Sequence, residues 1–318
     1  MRSWIATALI AGVACTVPSD EQTSAQTFGD PTASGDPPAM MESSTGSNSD
    51  SDPDSDPATT APAGSSTSDD GDDMGIKLDV GSDTDGPVFG EAEVFGHSGG
   101  DLYRMDPDTK EVVLVGPFVG CTASIIDIAL DADSRMYGTA FGSLWAIDRT
   151  TAECTIIATG SYPTSLSFVP VGTVDPVREA LVGFVDEEYI RIDPDNGEIT
   201  SLGTLSDGLQ SSGDLVSVIG GGSWLTVRGP GCNTTDCIIE IDPADGTVLH
   251  NYGPLPYDEV YGLAFWAGSA YGFARYGELF EIEFDGANVS TTLIPIPDAP
   301  ADLVFYGAGS TTAAPPAG

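Results

Sequence analysis

The sequence contains few basic residues. Its 318 residues include 10 Lys and Arg against 49 Asp and Glu, which gives a formal net charge of −39. Nucleic-acid binding needs cationic groups opposite phosphates, so this composition argues against a nucleic-acid partner. It also argues against docking onto an anionic membrane surface. The simplest interpretation is solubility through self-repulsion, and the alternative is recruitment of cations or of a basic partner.

Histidine is scarce as well, with only two residues in the chain, His97 and His250. They fall in different repeats and on different predicted strands. Neither a histidine-based metal site nor a Ser-His-Asp arrangement is therefore visible, and both histidines are interpreted as strand residues. The sequence favours a protein that is not an enzyme.

Apolar residues are thin between residues 16 and 87, where Ser, Thr, Asp, Pro and Gly dominate. Such a segment cannot bury enough apolar surface to offset the entropy of ordering its backbone, so we predict a disordered acidic linker. Residues 88–306 have a globular composition and are predicted to form the folded domain. Residues 307–318 are predicted to be a disordered tail.

Residues 1–15 have the pattern of an export signal. A single positive charge at Arg2 precedes about eleven apolar or small residues, which are too few to span a bilayer. The run that follows, Gly12-Val13-Ala14-Cys15, resembles the lipobox of bacterial lipoproteins, although Gly12 stands where Leu is usual. This resemblance implies lipidation of Cys15. Cleavage of an ordinary signal peptide is the alternative.

A lipidated cysteine followed by a long acidic tether resembles the surface lipoproteins of Gram-negative bacteria. Thr16 is not the Asp that often signals retention at the inner membrane. The resemblance implies an exported protein at the outer membrane or cell surface that touches the membrane only through its lipid. As a flexible coil, about seventy residues reach on the order of 45 Å, so the folded domain would stand clear of the bilayer.

A short repeated stretch organises the rest of the chain. Its copies end in an acidic residue at intervals of between 41 and 49 residues. A period in the forties built from short alternating strands predicts the blades of a β-propeller. The five copies are Leu102–Asp106, Leu144–Asp148, Tyr189–Asp193, Ile238–Asp242 and Leu279–Glu283.

The predicted fold is all-β, a five-bladed propeller with four strands in each blade. The first repeat has only three strands, and residues 301–306 are predicted to supply its missing inner strand. Completing one blade from both ends of the chain closes the ring and leaves no free edge. The pattern resembles bacterial propellers with YVTN, NHL or quinoprotein-like repeats. That resemblance implies a fold and not an activity, because many unrelated functions use it.

Four cysteines remain after Cys15, an even number that favours disulfides in an exported domain. We predict a Cys232–Cys237 pair within the fourth blade and a Cys121–Cys154 pair across the second. A metal site is the alternative, but thiolates divided between two blades without a nearby histidine argue against it.

Four aspartates end the third strands of their repeats. Their contexts, such as Ile-Asp-Pro-Asp-Asn-Gly, are typical of turns in which the carboxylate accepts backbone hydrogen bonds, so we assign them a structural role. Calcium binding is the alternative, although none continues into a complete EF-hand-like loop. These residues are Asp106, Asp148, Asp193 and Asp242.

The candidate site lies where the inner strands begin. The aligned positions there are Asp127, Ser165, Asp214, Gly262 and Asp302. Three carboxylates around one channel mouth would raise one another's pKa, or hold a cation such as calcium or a sugar hydroxyl. The alternative is that each Asp only accepts hydrogen bonds from the backbone of a neighbouring blade.

Two functional hypotheses follow. The first is a monomeric binding or scaffold module for an extracellular protein or glycan. The second is a calcium-dependent hydrolase or lyase acting on lactones or sugars through the same face. The ring of Asp127, Asp214 and Asp302 is the one feature that resembles the calcium site of propeller lactonases, and the other motifs of that family are not evident.

Overall fold

The computed structural model describes residues 93–297 and 299–318. The predicted export signal, the lipidation site Cys15 and the linker of residues 16–87 lie outside the described residues. Within the described part of the chain, no helix has the length and apolar character needed to cross a membrane.

The five-bladed propeller is confirmed. Within residues 93–297 and 299–318, twenty strands form five sheets, each of four antiparallel strands. Blade 1 contains β1 (Val94–His97), β2 (Asp101–Met105), β3 (Val112–Pro117) and β20 (Gly307–Ser310). Blade 2 contains β4 (Asp127–Leu130), β5 (Met136–Ala140), β6 (Ser143–Ile147) and β7 (Cys154–Thr159). Blade 3 contains β8 (Ser165–Val169), β9 (Ala180–Val185), β10 (Glu188–Ile192) and β11 (Ile199–Thr204). Blade 4 contains β12 (Gln210–Ser217), β13 (Ser223–Gly229), β14 (Cys232–Ile241) and β15 (Val248–Pro254). Blade 5 contains β16 (Val260–Trp266), β17 (Ser269–Ala274), β18 (Leu279–Asp285) and β19 (Asn288–Ile294).

The inner strands form a closed circle around one axis. Strands β20, β4, β8, β12 and β16 contact one another in that order, and β16 contacts β20 again. These inner strands are largely buried, whereas the outer strands such as β3 and β7 keep exposed side chains. Aromatic stacking joins adjacent blades, as where Trp224 of blade 4 stacks on Phe265 of blade 5 with ring centroids 4.8 Å apart. Below, the N-terminal mouth is the end of this channel where the inner strands begin, and the C-terminal mouth is where they end.

The C-terminal part of the chain closes blade 1, as predicted, but with a different segment. The closing strand is β20, in which Gly307 pairs with His97 and Ser310 with Val94. Residues 301–306, which were predicted to form it, are not a strand. Leu303 and Phe305 pack between blades 5 and 1 instead. Phe305 is buried and contacts the Phe273 ring edge-on at 5.1 Å.

The segment predicted as a disordered tail, residues 307–318, begins with the strand β20, which pairs with β1. After β20, residues 311–318 cross the C-terminal mouth, and Thr312 and Ala314 are 1% exposed. This C-terminal strap reaches blades 2, 3, 4 and 5. Its hydrogen bonds run from Thr311 Oγ1 to Asp131 O (2.7 Å), from Ile219 N to Thr312 O (2.8 Å) and from Ala267 N to Pro315 O (2.9 Å). The hydroxyl of Thr312 also donates to the carboxylate of Glu179 in blade 3.

Both predicted disulfides are present. Cys121–Cys154 joins the segment before β4 to the outer strand β7, with the two Cα atoms 5.2 Å apart. Cys232–Cys237 lies within the long strand β14, with a Cα separation of 5.5 Å. The pair therefore braces the start of a third strand rather than the loop before it.

The four turn aspartates make the hydrogen bonds that the turn interpretation requires. Each carboxylate accepts the backbone N–H of the residue two positions on, so the turn satisfies its own polar groups. Their turns join the third and fourth strands, on the same side of the propeller as the C-terminal mouth. The accepted donors are Asp108 N for Asp106, Thr150 N for Asp148, Asp195 N for Asp193 and Ala244 N for Asp242.

Candidate functional site

Two of the three predicted channel carboxylates come together on the axis. Asp127 begins β4 and Asp214 lies within β12, and both side chains are completely buried. Asp302 is exposed and precedes the closing strand, so it takes no part in the ring. Gly307 holds the equivalent place in β20. A Cβ atom there would lie 2.3 Å from Asp127 Oδ1 and 2.6 Å from His97 Nε2, so the position has no room for any side chain.

The Asp214 carboxylate ties three blades together. Its Oδ2 accepts a hydrogen bond from Leu263 N of blade 5 at 2.7 Å. Its Oδ1 accepts one from Leu215 N of its own blade at 2.6 Å and a longer one from Leu166 N of blade 3 at 3.4 Å. Asp214 therefore accepts hydrogen bonds from the backbone of neighbouring blades, which was the structural alternative to a role in ligand binding.

Asp127 and Asp214 form an axial pair of buried carboxyl groups. Asp127 Oδ1 accepts from Ile128 N at 2.9 Å, and Asp127 Oδ2 has no hydrogen-bond partner among the described residues. Two neighbouring buried carboxyl groups each disfavour the ionised form of the other. Burial, followed by the charge of Asp214, raises the pKa of Asp127 well above its ordinary value. Burial also raises the pKa of Asp214 to about 7, although hydrogen bonds from backbone amides oppose the shift.

His97 lies beside this pair, which the sequence did not indicate. It is completely buried at the end of β1, and its Nδ1 is 2.8 Å from Ser98 O. Since a carbonyl oxygen only accepts, Nδ1 carries the proton and Nε2 is an acceptor. Burial lowers the pKa of His97 to about 4, so the ring is neutral at physiological pH. His250 lies in β15 of blade 4, so the two histidines do not form a common site.

The axial carboxyl pair does not fit a calcium ion. Calcium takes six to eight oxygen ligands, and carboxylates bind it in their ionised form. Here burial raises the pKa values of both carboxyl groups and so disfavours the ionised form that calcium needs, and Gly307 stands where the third carboxylate was expected. Among the described residues, no group of three or more His, Cys, Asp or Glu side chains is arranged to hold a metal ion.

A cavity of about 280 Å³ opens at the N-terminal mouth, above the carboxyl pair. Every blade contributes to it, mostly through the residue just before the buried inner-strand position. No lining side chain is charged, and three are aromatic. The lining consists of Ile126, Phe141, Thr164, Ser212, Gly213, Tyr261 and Tyr306.

Exposed aromatic rings surround this mouth cavity. Phe141 is 79% exposed in the turn between β5 and β6, and Tyr306 is 43% exposed just before β20. Tyr261 is held in place, because its hydroxyl donates to Glu259 Oε1 at 3.0 Å. Tyr276, 69% exposed, lies in the turn between β17 and β18 on the same face. Large exposed rings around a concave, uncharged opening are typical of a binding site.

Comparisons with known proteins identify no family. No family model matches the chain, and no curated protein matches it. Among solved structures, a hydrazine synthase chain from Kuenenia stuttgartiensis is similar over 65% of this chain at 15% identity, with a TM-score of 0.36. This chain spans 64% of that one.

Two further structures are similar to the same extent. A nidogen/laminin complex matches 69% of this chain and 80% of its own, with 12% identity and a TM-score of 0.43. A protein of unknown function from Bacteroides caccae matches 68% of this chain and 77% of its own, with 9% identity and a TM-score of 0.37. At these levels of similarity the matches say nothing about function, which has to be argued from the site.

Proposed function

We propose that this protein is an exported, lipid-anchored binding protein whose propeller holds a neutral glycan in the N-terminal mouth. The observation that carries the proposal is the mouth cavity, which all five blades build from aromatic and uncharged side chains. A ligand carrying a net charge would find no ionic partner in that lining. A sugar ring suits it, because its apolar face stacks on aromatic rings while its hydroxyl groups need hydrogen-bonding neighbours.

The hydroxyl groups that a sugar would need lie on the same surface. Thr164 lines the cavity from blade 3 and Tyr306 lines it from blade 1. The Tyr261 hydroxyl, from blade 5, donates to Glu259 and can still accept. Hydroxyl groups donate and accept, so they match sugar hydroxyls in either direction. The axial carboxyl pair lies below the lining and holds the blades together.

A glycan array probed with the purified chain, followed by calorimetry on the bound glycan, tests this proposal. Tyr306→Ala should weaken binding about tenfold, which corresponds to the loss of roughly 1.4 kcal/mol of aromatic contact. Leu249→Ala is the control, since Leu249 is 58% exposed on the outer strand β15, away from the mouth. Failure of every glycan to bind, or equal affinities for the two variants, would overturn the proposal. Binding of a protein at Tyr306 in place of a glycan would overturn the ligand class alone.

Export and lipid anchoring make up the second part of the proposal. Two disulfides support an oxidising, extracytoplasmic location. The acylated residue would be Cys15, which lies outside the described residues. Metabolic labelling with a palmitate analogue should label the wild-type protein and not Cys15→Ser. A wild-type protein without label would end the idea of an anchor and leave the binding proposal intact.

A further inference from the structure

A second pocket opens on the opposite face, between blades 2 and 3. It has a volume of about 550 Å³. Its floor contains the rings of Tyr137 and Phe168, whose centroids are 5.3 Å apart. The rim is ionised, unlike that of the mouth cavity. We call it the blade 2/3 pocket. Its lining includes Asp133, Arg135, Tyr137, Phe168, Val171 and Asp195.

The arginines of this region are already neutralised by their neighbours. Arg135 pairs with Asp131 at 2.6 Å and with Asp133 at 3.6 Å. Arg178, which also lines the pocket, is held by carboxylates of Asp175, Asp193 and Asp195 at 3.2 to 3.6 Å. Acidic groups therefore outnumber basic ones around the pocket. The side chains of Asp133 and Asp195 remain 81% and 80% exposed.

The same imbalance extends over the whole propeller. Every Lys and Arg in residues 93–318 forms an ion pair with a carboxylate of this chain. Exposed carboxylates without a basic partner therefore remain on the surface of the described residues, whereas each Lys and Arg there is paired. A partner that supplies positive charge is complementary to this surface.

Exposed valines beside the pocket point to a macromolecular partner. Val171 lines the pocket and is 55% exposed, and Val177 in the same loop is 82% exposed. A free polyamine would gain nothing from them. A protein segment that carries both apolar and basic side chains would cover them and place its charge at the rim, as in the core and rim of an interface.

We propose that the blade 2/3 pocket binds a Lys- or Arg-bearing segment of a protein partner. The aliphatic stem of the basic side chain lies against Tyr137 and Phe168. Its charged end reaches Asp133 and Asp195, and the Tyr137 ring adds a cation–π contact. This interaction is separate from the glycan site, because the two pockets open on opposite faces.

The test uses the full chain and a fluorescein-labelled peptide of alternating Lys and Gly, with fluorescence anisotropy as the readout. The double variant Asp133→Asn/Asp195→Asn should bind about tenfold more weakly than wild type, since it loses two exposed charge contacts. The control Asp207→Asn/Asp285→Asn removes the same charge from exposed residues outside the pocket and should bind within about twofold of wild type. Equal losses in the two double variants would show diffuse attraction to an acidic protein and would overturn the proposal.

A second pair of variants leaves the charge unchanged. Tyr137→Leu should weaken peptide binding several-fold because the ring is lost, whereas Tyr137→Phe should retain it. Melting curves of the variants establish that each is folded. Unchanged binding by Tyr137→Leu would overturn the pocket as the site, and so would a labelled peptide of alternating Glu and Gly that bound as well. Tyr306→Ala should leave the peptide affinity unchanged.

Discussion

At the scale of single residues, the axial carboxyl pair determines how stability depends on pH. In the unfolded chain both Asp127 and Asp214 ionise near pH 3.8, whereas burial raises both pKa values in the folded protein. Above pH 3.8 and below these raised pKa values, the folded state therefore binds more protons than the unfolded state. Since stability falls with pH wherever the folded state binds more protons, this contribution is full at low pH and is lost as the pH rises.

The variant Asp127→Asn should reduce that loss. The amide does not titrate, so the proton that Asp127 binds on folding is gone. We expect the fall in melting temperature between pH 5 and pH 8 to be smaller than the wild-type fall. Thermal melts across this pH range measure the effect, with the exposed Asp207→Asn as control. A wild-type slope in Asp127→Asn would show that Asp127 binds no extra proton in the folded state.

The sequence predicted Asp127 and Asp214 at this site and missed His97. The two aspartates follow from the alignment of the repeats. Leu303 and Phe305 alternate as the buried residues of a strand do, so residues 301–306 were predicted to be an inner strand. Their side chains pack between two blades without forming a strand, and Asp302 is exposed and lies outside the carboxyl pair. His97 was missed since its place beside Asp127 depends on the register of β20. The sequence of that strand, Gly-Ala-Gly-Ser, has low strand propensity and gives no such signal.

At the scale of elements, the repeat predicted the blades because each of four repeats ends its third strand with an Asp that closes its own turn. These turns are local, so sequence alone specifies them. The disulfides were predictable for a related reason, since each pair lies within one blade. The packing of residues 301–306 could not be predicted from the sequence, because it depends on contacts with two blades.

The two disulfides should differ in their contribution to stability. Cys121–Cys154 closes a loop with a sequence separation of 33, and Cys232–Cys237 one of 5. By loop-closure entropy these are worth about 3.7 and about 2 kcal/mol. Replacing both cysteines of a pair with serine, followed by denaturant unfolding, should therefore cost more free energy for the first pair. A larger loss for the second pair would contradict the prediction.

At the scale of the whole molecule, β20 completes blade 1, and the C-terminal strap that follows it links the chain end to the other blades. We expect removal of residues 311–318 to lower the unfolding free energy by about 4 kcal/mol, because four hydrogen bonds to other blades are lost at about 1 kcal/mol each. Thermal or urea unfolding measures this loss. A chain shortened by Ala317 and Gly318 alone keeps all four bonds and should remain close to wild type. Equal stability of the two truncated chains would mean that the strap does not stabilise the folded protein.

The position of the strap also decides how the axis can be used. Because residues 311–318 lie across one opening, a molecule seated near the centre has to arrive and depart past the rings of Phe141 and Tyr306. The channel is therefore accessible from one end only. A bound molecule blocks the entry of a second one, and a partner that covers the open mouth prevents the bound molecule from leaving.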